Sequence, residues 1–448
     1  MTLKFGTDGV RGVANVDLTP ELAVAMGRAA ISVLGGERWF IGRDTRRSGT
    51  MLTAAVASGL ASEGAAVVDL GVLPTPGVAF ASAEGHVPAV MISASHNPFA
   101  DNGIKLFAAG GRKLDDATEQ RLEAELARLI IGGRQANEAR PRGLAVGAVV
   151  ADRAAVSGYE DHLAGVLGGR RLEGLRVVVD CANGAAWEVA PRVLRRLGAE
   201  VEVIHGEPDG SNINERCGST WPEDLQGAVR AHGADAGLAL DGDADRVLAV
   251  DGSGSLVDGD HLIAMCAIDL HERGELHDDT VVVTVMTNLG LRISMEGRGI
   301  RVVETAVGDR SVLAAMEAGG YNLGGEQSGH VIFRDASTTG DGVLTGLWVL
   351  DLLRRSGRPL ADLAAVAMKR MPQVLVNVAV HRPQADVADR IGAQIAAAAD
   401  ELGDHGRVLV RPSGTEPLVR VFVEAPTEAE ARAVAGRLVE AVEAACSG

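Results

Sequence analysis

Residues 176–204, RVVVDCANGAAWEVAPRVLRRLGAEVEVI, contain the pattern that decides the fold. A β-branched run at 176–180 passes through Cys-Ala-Asn-Gly into a helical segment, and Gly198 then precedes a second β-rich run. Glycine is the residue that most readily takes the left-handed conformation at the end of a helix. Because helical crossovers join parallel strands, this segment predicts a strand–helix–strand unit in a covered sheet.

Two further segments repeat this plan, with first strands at 39–42 and 280–285 and closing glycines at 64 and 299. The closing glycines at 64, 198 and 299 are 134 and 101 residues apart, which is the spacing of domains and not of a solenoid repeat. Three α/β domains of similar build, as duplication would produce, are therefore predicted. The alternative is coincidence, since strand–helix–Gly–strand is a common local pattern.

The order of elements changes beyond Pro372. A strand at 374–380 precedes an alanine-rich helix at 385–402, two strands at 407–410 and 418–424, and a last helix at 427–445. This order predicts a smaller α+β domain with an antiparallel sheet. The expected fold class is thus three similar α/β domains with mixed sheets plus a C-terminal α+β domain around a central cleft. The predicted domains are 1–150, 151–254, 255–370 and 371–448.

Composition excludes several classes of protein. The 448 residues carry a formal charge of −17, which would repel the phosphates of nucleic acids and anionic membranes. The four cysteines form no CxxC pair, so neither a disulfide framework nor a zinc cluster is expected. No secretory signal opens the chain and no run of about 18 apolar residues occurs, which predicts a soluble, cytoplasmic protein.

Residues 91–105, MISASHNPFADNGIK, turn polar at the end of an apolar run. The run at 88–92 predicts a buried strand, and Ser95 and His96 follow before Pro98 fixes a turn. Such a strand exit presents a hydroxyl and an imidazole to a ligand, and Lys105 follows after a second turn. An ordinary polar loop is an equally good interpretation of this segment alone.

Residues 241–246, DGDADR, follow the apolar run 236–240 and predict a cation site. Aspartates at 241, 243 and 245 can converge on one hard cation, and Mg²⁺ prefers a few carboxylates plus a phosphate oxygen. An EF-hand fails on spacing, because Arg246 stands where glycine is expected and Gly252 where glutamate is expected. A solvated acidic turn is the remaining alternative.

Three further segments are rich in groups that suit a sugar phosphate. GGEQSGH at 324–330 offers Glu326, Gln327 and Ser328 between glycines that permit close backbone approach. RPSGTEPLVR at 411–420 combines hydroxyls and free N–H groups with Arg411 and Arg420, a plausible phosphate cradle. FGTDGVRG at 5–12 opens the chain with Arg11 among glycines. Polar turns are the alternative for each segment taken singly.

The order of the five motifs resembles that of the phosphohexomutase family from residue 5 to residue 423, and most closely its bacterial members that act on an amino sugar. No motif departs from the family pattern. The resemblance implies reversible conversion of glucosamine 6-phosphate to glucosamine 1-phosphate through a phosphoserine and a 1,6-bisphosphate, feeding UDP-N-acetylglucosamine synthesis. Glucosamine or glucose 1,6-bisphosphate would act as activator, and a homodimer and a kinase for Ser95 are possible partners.

The same resemblance implies a role for each site residue. Ser95 would carry the phosphoryl group and, through it, join Asp241, Asp243 and Asp245 in ligating one Mg²⁺. Acid–base catalysis would fall to Lys105 or His96 first, with His330 and Arg11 as further candidates. The substrate would be bound by Thr7, Arg246, Glu326, Ser328, Arg411, Ser413, Gly414, Thr415 and Arg420.

Three rival functions stay open at the level of sequence. Phosphomannomutase or phosphoglucomutase activity differs only at C2 of the sugar, and such relatives tend to differ at the position of Gln327. A Mg²⁺-dependent phosphatase could use the same aspartates, and would release inorganic phosphate. A sugar-phosphate sensor would tolerate loss of the Ser95 hydroxyl.

Overall fold

The computed structural model describes residues 9–131, 140–380, 386–412 and 418–446. These residues divide into two compact units, one within 1–285 and 301–364, the other within 286–300 and 365–448. Within the described ranges, no helix is long and apolar enough to cross a membrane. Ser95, the aspartates at 241, 243 and 245, and Glu326 all belong to the first, larger unit.

The first sheet of the larger unit has seven strands, with the path β1-β5-β4-β2-β3-β7 and β6 paired to β5. β2 is parallel to β3 and β4, whereas β5 is antiparallel to β4. The strands are β1 (Val10–Val13), β2 (Arg38–Arg43), β3 (Ala66–Val72), β4 (Ala89–Ile92), β5 (Asp101–Ala108), β6 (Arg112–Lys113) and β7 (Val149–Ala151).

Five helices accompany this sheet, and α1 shows why they begin where they do. Thr19 caps its first turn by accepting the Leu22 N–H at 3.3 Å, and Pro20 fits the first helical position. Trp39 and Ile41 of β2 are buried in a core shared with α1 and α2. The helices are α1 (Pro20–Leu34), α2 (Gly49–Ser62), α3 (Thr75–Gly85), α4 (Asp116–Ile131) and α5 (Ala154–Gly165).

The second sheet has five strands in the order β12-β11-β10-β8-β9. β8 runs parallel to β9 and β10, and β10 is antiparallel to β11. Every residue of β10 and β11 is buried, as expected of a central hairpin covered on both faces. The elements are α6 (Val189–Arg196), α7 (Glu223–His232), β8 (Arg176–Asp180), β9 (Glu200–Ile204), β10 (Ala236–Leu240), β11 (Val247–Asp251) and β12 (Leu256–Val257).

The third sheet has four strands in the order β14-β13-β15-β16. β13 is parallel to β14 and β15, whereas β15 and β16 form an antiparallel hairpin. The elements are α8 (Gly259–Glu272), β13 (Thr280–Thr284), β14 (Arg301–Thr305), α10 (Asp309–Gly319), β15 (Leu323–Gly325), β16 (Val331–Phe333), α11 (Gly342–Ser356) and α12 (Leu360–Ala367); α9 (Leu289–Glu296), between β13 and β14 in the chain, belongs to the smaller unit.

The smaller unit carries a three-stranded antiparallel sheet in the order β17-β19-β18. Its core is built from apolar residues of the strands and of α15, including Val421 and Leu438. The elements are β17 (Gln373–Ala379), α13 (Val387–Arg390), α14 (Gly392–Leu402), β18 (Arg407–Pro412), β19 (Leu418–Glu424) and α15 (Glu428–Cys446).

The predicted fold class is confirmed, including the three parallel strand–helix–strand pairings and the positive φ of Gly64, Gly198 and Gly299. One helix prediction was wrong. The segment 385–402 is not continuous, because Ile391 leaves the helical region at φ −107° and ψ 21° and separates α13 from α14. Ala385 itself lies outside the described residues.

Candidate active site

Three of the predicted motifs follow the carboxyl ends of strands in the larger unit. Ser95 comes after β4, Asp241 directly after β10, and Glu326 directly after β15. In sheets with parallel strands, the crevice beyond the carboxyl ends is the usual place for a ligand. The three loops meet, because Ser95 contacts Asp241 and the turn after β15 contacts the residue after Arg246.

Ser95 lies at the centre of the site. Its Oγ donates a hydrogen bond to Oδ2 of Asp241 at 2.5 Å, and the Ser95 side chain is fully buried. The residue has φ +53°, a left-handed conformation that is unusual for a residue other than glycine or asparagine. The predicted phosphoryl carrier and the predicted cation loop are therefore in direct contact, although 146 residues separate them in the chain.

The three aspartates of the cation loop converge. Carboxylate oxygens of Asp241, Asp243 and Asp245 lie within 4.8 Å of one another, and all three side chains are buried. Lys105 Nζ lies 2.7 Å from Oδ2 of Asp243 and 3.9 Å from Oδ2 of Asp245. Thr75, at the start of α3, donates its hydroxyl to the same Asp243 oxygen at 2.6 Å.

This carboxylate cluster fits a divalent cation. Oδ1 of Asp243 and Oδ1 of Asp245 are buried, and neither has a hydrogen-bond partner among the described residues. Burial and the charges of Asp245 and Asp243 raise the pKa of Asp241 well above its usual range. Buried oxygens without partners and mutually repelling carboxylates are the features that a bound cation would satisfy.

His96 and Arg246 lie on the other side of Ser95. Nδ1 of His96 is 3.4 Å from Ser95 Oγ and 3.1 Å from Nη1 of Arg246. Because arginine can only donate, Nδ1 of His96 must accept, which places the proton of a neutral imidazole on Nε2. Burial, followed by the charges of Arg246 and Arg11, lowers the pKa of His96 and favours this neutral form.

The turn 326–330 joins β15 to β16 and lies against the cation loop. The Val247 N–H donates to the Gly329 carbonyl at 3.1 Å, directly after Arg246. Glu326 is partly buried and accepts the Gly308 N–H at 3.1 Å, whereas Ser328 is exposed. A glutamate and a serine at this turn can each reach a hydroxyl-bearing ligand in the crevice.

His330 is buried between two carboxylates. Its Nδ1 lies 3.7 Å from Asp245, its Nε2 lies 3.7 Å from Asp309, and Nε2 also accepts the Gly340 N–H at 3.1 Å. Burial lowers the pKa of His330, but the two carboxylates outweigh that effect and raise it overall. The pKa of Asp245 is lowered despite burial, because His330, Lys105 and Arg246 surround it.

The remaining predicted residues are placed less completely. Arg11 lies in β1 opposite Gly103 of β5, close enough to His96 to affect its pKa. Arg411 and Arg420 are directly opposite each other on β18 and β19 of the smaller unit. Like charges at opposed positions repel, so an anion bound beside them would relieve that repulsion. Thr7, Ser413, Gly414 and Thr415 lie outside the described residues.

Two residues near the cation loop were missed by sequence reasoning. Thr75 begins α3 in the sequence Pro-Thr-Pro and Asp309 begins α10 in the sequence Gly-Asp-Arg, and neither sequence has a feature that indicates a site. Their contacts with Asp243 and His330 span 168 and 21 residues of chain, so no local pattern reveals them.

The chain matches family models over most of its length. Models described as "Phosphoglucomutase/phosphomannomutase" match residues 2–130 (alpha/beta/alpha domain I), 158–254 (alpha/beta/alpha domain II), 258–371 (alpha/beta/alpha domain III) and 375–441 (C-terminal domain). All five motifs fall inside the matched ranges.

Curated relatives cover the whole chain. The chain is 54% identical to phosphoglucosamine mutase of Frankia casuarinae, with 99% of each chain covered. It is 54% identical to phosphoglucosamine mutase of Thermobifida fusca, covering 99% of this chain and 98% of the relative. The corresponding enzyme of Symbiobacterium thermophilum is 53% identical, with 99% of each covered.

Solved structures share the fold. A phosphoglucomutase/phosphomannomutase family protein from Burkholderia thailandensis superimposes with a TM-score of 0.82 at 26% identity, covering 99% of this chain and 98% of the other. N-acetylphosphoglucosamine mutase of Aspergillus fumigatus, solved with GlcNAc-6P and magnesium, gives 0.71 at 20% identity, covering 100% and 96%. At that lower identity the likeness concerns the fold alone.

Proposed function

The chain belongs to the phosphoglucomutase/phosphomannomutase family, and we propose from this premise that its active site isomerises glucosamine phosphates by way of Ser95. The reaction is the reversible conversion of glucosamine 6-phosphate to glucosamine 1-phosphate, the activity for which the relatives at 53–54% identity are named. The observation that carries the proposal is the 2.5 Å contact between Ser95 Oγ and the buried aspartate cluster. Rival activity on glucose or mannose phosphates is not favoured, because the relatives at this identity act on the amino sugar.

The first half-reaction starts from Ser95 in its phosphorylated form. The bond between Ser95 Oγ and phosphorus breaks while a bond forms between phosphorus and the C1 oxygen of glucosamine 6-phosphate. The C1 hydroxyl proton passes to a base, and Ser95 Oγ ends protonated. Its hydrogen bond to Asp241 in the described structure corresponds to this dephosphorylated state.

The second half-reaction regenerates the phosphoenzyme. Glucosamine 1,6-bisphosphate turns round, and the bond between phosphorus and O6 breaks as a bond forms between phosphorus and Ser95 Oγ. Ser95 Oγ gives its proton to a base, and O6 takes up a proton. The product is glucosamine 1-phosphate. Because either half-reaction leaves the non-reacting phosphate at the far end of the sugar, one distal phosphate site serves both. Free glucosamine or glucose 1,6-bisphosphate would rephosphorylate Ser95 in the same way.

Asp241, Asp243 and Asp245 would hold Mg²⁺, together with an oxygen of phosphorylated Ser95. Bound there, the cation would neutralise charge on the transferring phosphoryl group. Asp243 is fixed by Thr75 and Lys105, and Asp245 by Lys105, Arg246 and His330. These partners hold the carboxylates in place but leave one oxygen of each without a hydrogen bond, which is what a cation ligand requires.

Acid–base catalysis would be divided between His96 and Lys105. The lowered pKa of His96 keeps its imidazole neutral near pH 7, as a base requires. Lys105 is buried, with Nζ 2.7 Å from Asp243 and 3.9 Å from Asp245, and would donate the proton as the acid. His330 and Arg11 would support charge balance around the transferring group. Glu326 and Ser328 would bind sugar hydroxyls at the neighbouring turn, where Glu326 already accepts a backbone N–H.

The distal phosphate would be bound by the loop that joins β18 to β19. Arg411 and Arg420 stand at its two ends on opposed strand positions, and Ser413, Gly414 and Thr415 lie between them. Thr7 and Arg246 complete the proposed substrate contacts. The domain ranges 1–150, 151–254, 255–370 and 371–448, a cytoplasmic location, a homodimer and a kinase for Ser95 stay predictions.

The proposal is tested with purified protein, Mg²⁺ and a catalytic amount of glucosamine 1,6-bisphosphate. We expect interconversion of the two glucosamine phosphates without stoichiometric release of inorganic phosphate. Ser95→Ala should abolish both the activity and the phosphoryl mass increment seen by intact-mass spectrometry. Ser58→Ala, on the exposed side of α2, is the matched control and should retain both. An active Ser95→Ala protein would refute the assignment.

A further inference from the structure

The loop that carries Ser95 is held from outside by residues that none of the five motifs contains. Ser95 takes a left-handed conformation with φ +53°, which costs energy for a residue with a Cβ atom and must be maintained by its surroundings. Four carbonyl groups in the segment 95–101 accept hydrogen bonds from two side chains.

Arg46 is the first of these side chains. It lies in the turn after β2 and is fully buried, with its guanidinium beneath the Ser95 loop. Nη2 donates to the carbonyls of Ser95 at 2.9 Å and Asn97 at 2.7 Å. Nη1 donates to the carbonyls of Pro98 and Asp101, the latter at 3.0 Å. One guanidinium group thus donates hydrogen bonds to four carbonyl groups within residues 95–101.

The position of Arg46 is itself fixed by a buried carboxylate. Asp44 accepts the Nε–H of Arg46 at 2.8 Å and its backbone N–H at 2.9 Å. The same carboxylate accepts the Ser93 hydroxyl at 2.7 Å, and Ser93 Oγ accepts the Ser95 N–H at 2.9 Å. The N–H and the carbonyl of Ser95 are therefore both tied to one network.

Asn214 approaches the loop from a different sheet of the larger unit. It follows β9, and its Nδ2 donates to the Ser95 carbonyl at 2.8 Å and to the Asn97 carbonyl at 3.0 Å. Asn214 also has a left-handed conformation, with φ +57°, which asparagine tolerates better than most residues. The carbonyl groups of Ser95 and Asn97 thus each accept two hydrogen bonds, one from Nη2 of Arg46 and one from Asn214.

We propose that Arg46 and Asn214 act together as positioning residues that hold Ser95 in its left-handed conformation and so aim Oγ at the aspartate cluster. Neither touches the reacting atoms in the structure. They act through the Ser95 and Asn97 carbonyls, one from the side of β2 and the other from the side of β9. The inference rests on the proposed function of Ser95 and extends it to residues outside the motifs.

Loss of a positioning residue and loss of a residue that only stabilises the fold are expected to have different effects on the kinetics. If the two side chains only set the direction of Oγ, their loss slows phosphoryl transfer in both directions and leaves affinity for the sugar phosphate nearly unchanged, because small misplacement of a reacting atom mainly affects the chemical step. If they only stabilise the fold, their loss lowers the unfolding midpoint without a specific effect on transfer in the folded protein.

The test uses Asn214→Gly, Arg46→Lys and the control Asn212→Ala in the full chain. Glycine accepts φ +57° freely, so Asn214→Gly removes the two donated bonds without adding backbone strain. Lysine keeps the positive charge of Arg46 but lacks the planar guanidinium group that donates to several carbonyl groups at once. Asn212 is two residues from Asn214, and its side chain also makes two hydrogen bonds. It accepts the Asp209 N–H and donates to the Glu207 carbonyl, and neither bond involves Ser95.

The measurements are kcat and KM for glucosamine 6-phosphate and the rate at which phosphorylated enzyme loses its phosphoserine in a single turnover. We expect kcat and the single-turnover rate to fall about 10- to 100-fold in Asn214→Gly, and further in Arg46→Lys, with KM within about threefold of the parent value. Asn212→Ala should match the parent, and circular dichroism should show each variant folded at the assay temperature.

The inference would be overturned, and the proposed function left intact, by Asn214→Gly with parental kcat and turnover of phosphoserine or by an equal loss of rate in Asn212→Ala. An effect on KM alone would also overturn it. If the parent protein itself fails to interconvert the glucosamine phosphates, the proposed function fails instead, so the two failures are distinguishable.

Discussion

Gly242→Ala is expected to disturb catalysis through a single methyl group. Gly242 lies between Asp241 and Asp243, where the cation loop passes the Ser95 loop. A Cβ atom at this position would lie 2.5 Å from the Ser95 carbonyl oxygen and 2.8 Å from Nδ2 of Asn214. Ordinary contact begins at 3.4 Å, so the methyl group would be 0.9 Å too close to the first of these atoms.

The surroundings of Gly242 cannot easily absorb that displacement. The Ser95 carbonyl is held by Arg46 at 2.9 Å and Asn214 at 2.8 Å, and the Gly242 carbonyl accepts the Ala185 N–H at 2.8 Å. The two loops must therefore separate by nearly 1 Å at the point where Ser95 meets Asp241. A misplacement of about 1 Å can lower a catalytic rate about 10²-fold, and we expect kcat to fall by that order in Gly242→Ala.

The assay for Gly242→Ala is steady-state interconversion of the glucosamine phosphates at saturating Mg²⁺. The matched control is Gly227→Ala in α7, where a Cβ atom meets nothing within 4 Å. That control should keep its activity and gain about 0.5–1 kcal/mol of stability, because alanine is the better helix former. A Gly242→Ala protein with parental kcat would show that the close approach of the two loops is not needed for transfer.

Two other substitutions test the support of the site. Thr75→Val removes the hydroxyl that donates to Asp243 at 2.6 Å, so the Mg²⁺ concentration for half-maximal activity should rise about 10- to 100-fold; an unchanged Mg²⁺ titration would contradict this. Asp341 caps the first turn of α11 and is buried, and burial raises its pKa to about 6 from 3.8. Its contribution to stability is therefore present below about pH 4 and is lost as pH rises through about 6. Asp341→Asn should accordingly gain up to about 3 kcal/mol relative to the parent between these pH values, measured by urea unfolding, and a pH-independent difference would refute the shift.

The sequence predicts the parts of the site that are local in the chain. β4, β10 and β15 each end in a short polar segment, and the strands are recognisable from apolar runs that lead directly to Ser95, Asp241 and Glu326. Because ligands usually bind beyond the carboxyl ends of such strands, each loop can be recognised as part of a candidate site. The three strands belong to three different sheets, however, so only the packed structure shows that the loops meet. The aspartates at 241, 243 and 245 can be recognised as a set from the sequence, since their spacing alone brings them together.

The residues that support the loops could not be predicted in this way. The bond from Thr75 to Asp243 spans 168 residues, and the bond from Asn214 to Ser95 spans 119. Arg46 stands in a charged turn that is typical of an exposed loop, yet its side chain is fully buried. Only the packed structure shows that four carbonyl groups converge on it. The left-handed conformation of Ser95 likewise has no sequence signal, since serine is not a residue that indicates it.

If Ser95 is phosphorylated as proposed, the charges around it would couple its phosphorylation to cation binding. With a free hydroxyl, Ser95 donates to Asp241, and the raised pKa of Asp241 shows how poorly the cluster tolerates its own negative charge. A phosphoryl group brings a further charge of about −1.5 to −2 and removes the proton that Ser95 donates. The contact with Asp241 then changes from attraction to repulsion, which a divalent cation between the two would reverse. By linkage, the free energy by which phosphoserine would strengthen Mg²⁺ binding equals the free energy by which bound Mg²⁺ would stabilise the phosphorylated form. On the proposed function, the aspartate cluster would favour the phosphorylated state only when the cation is bound, so the cation would let a site rich in carboxylates hold a phosphoryl group.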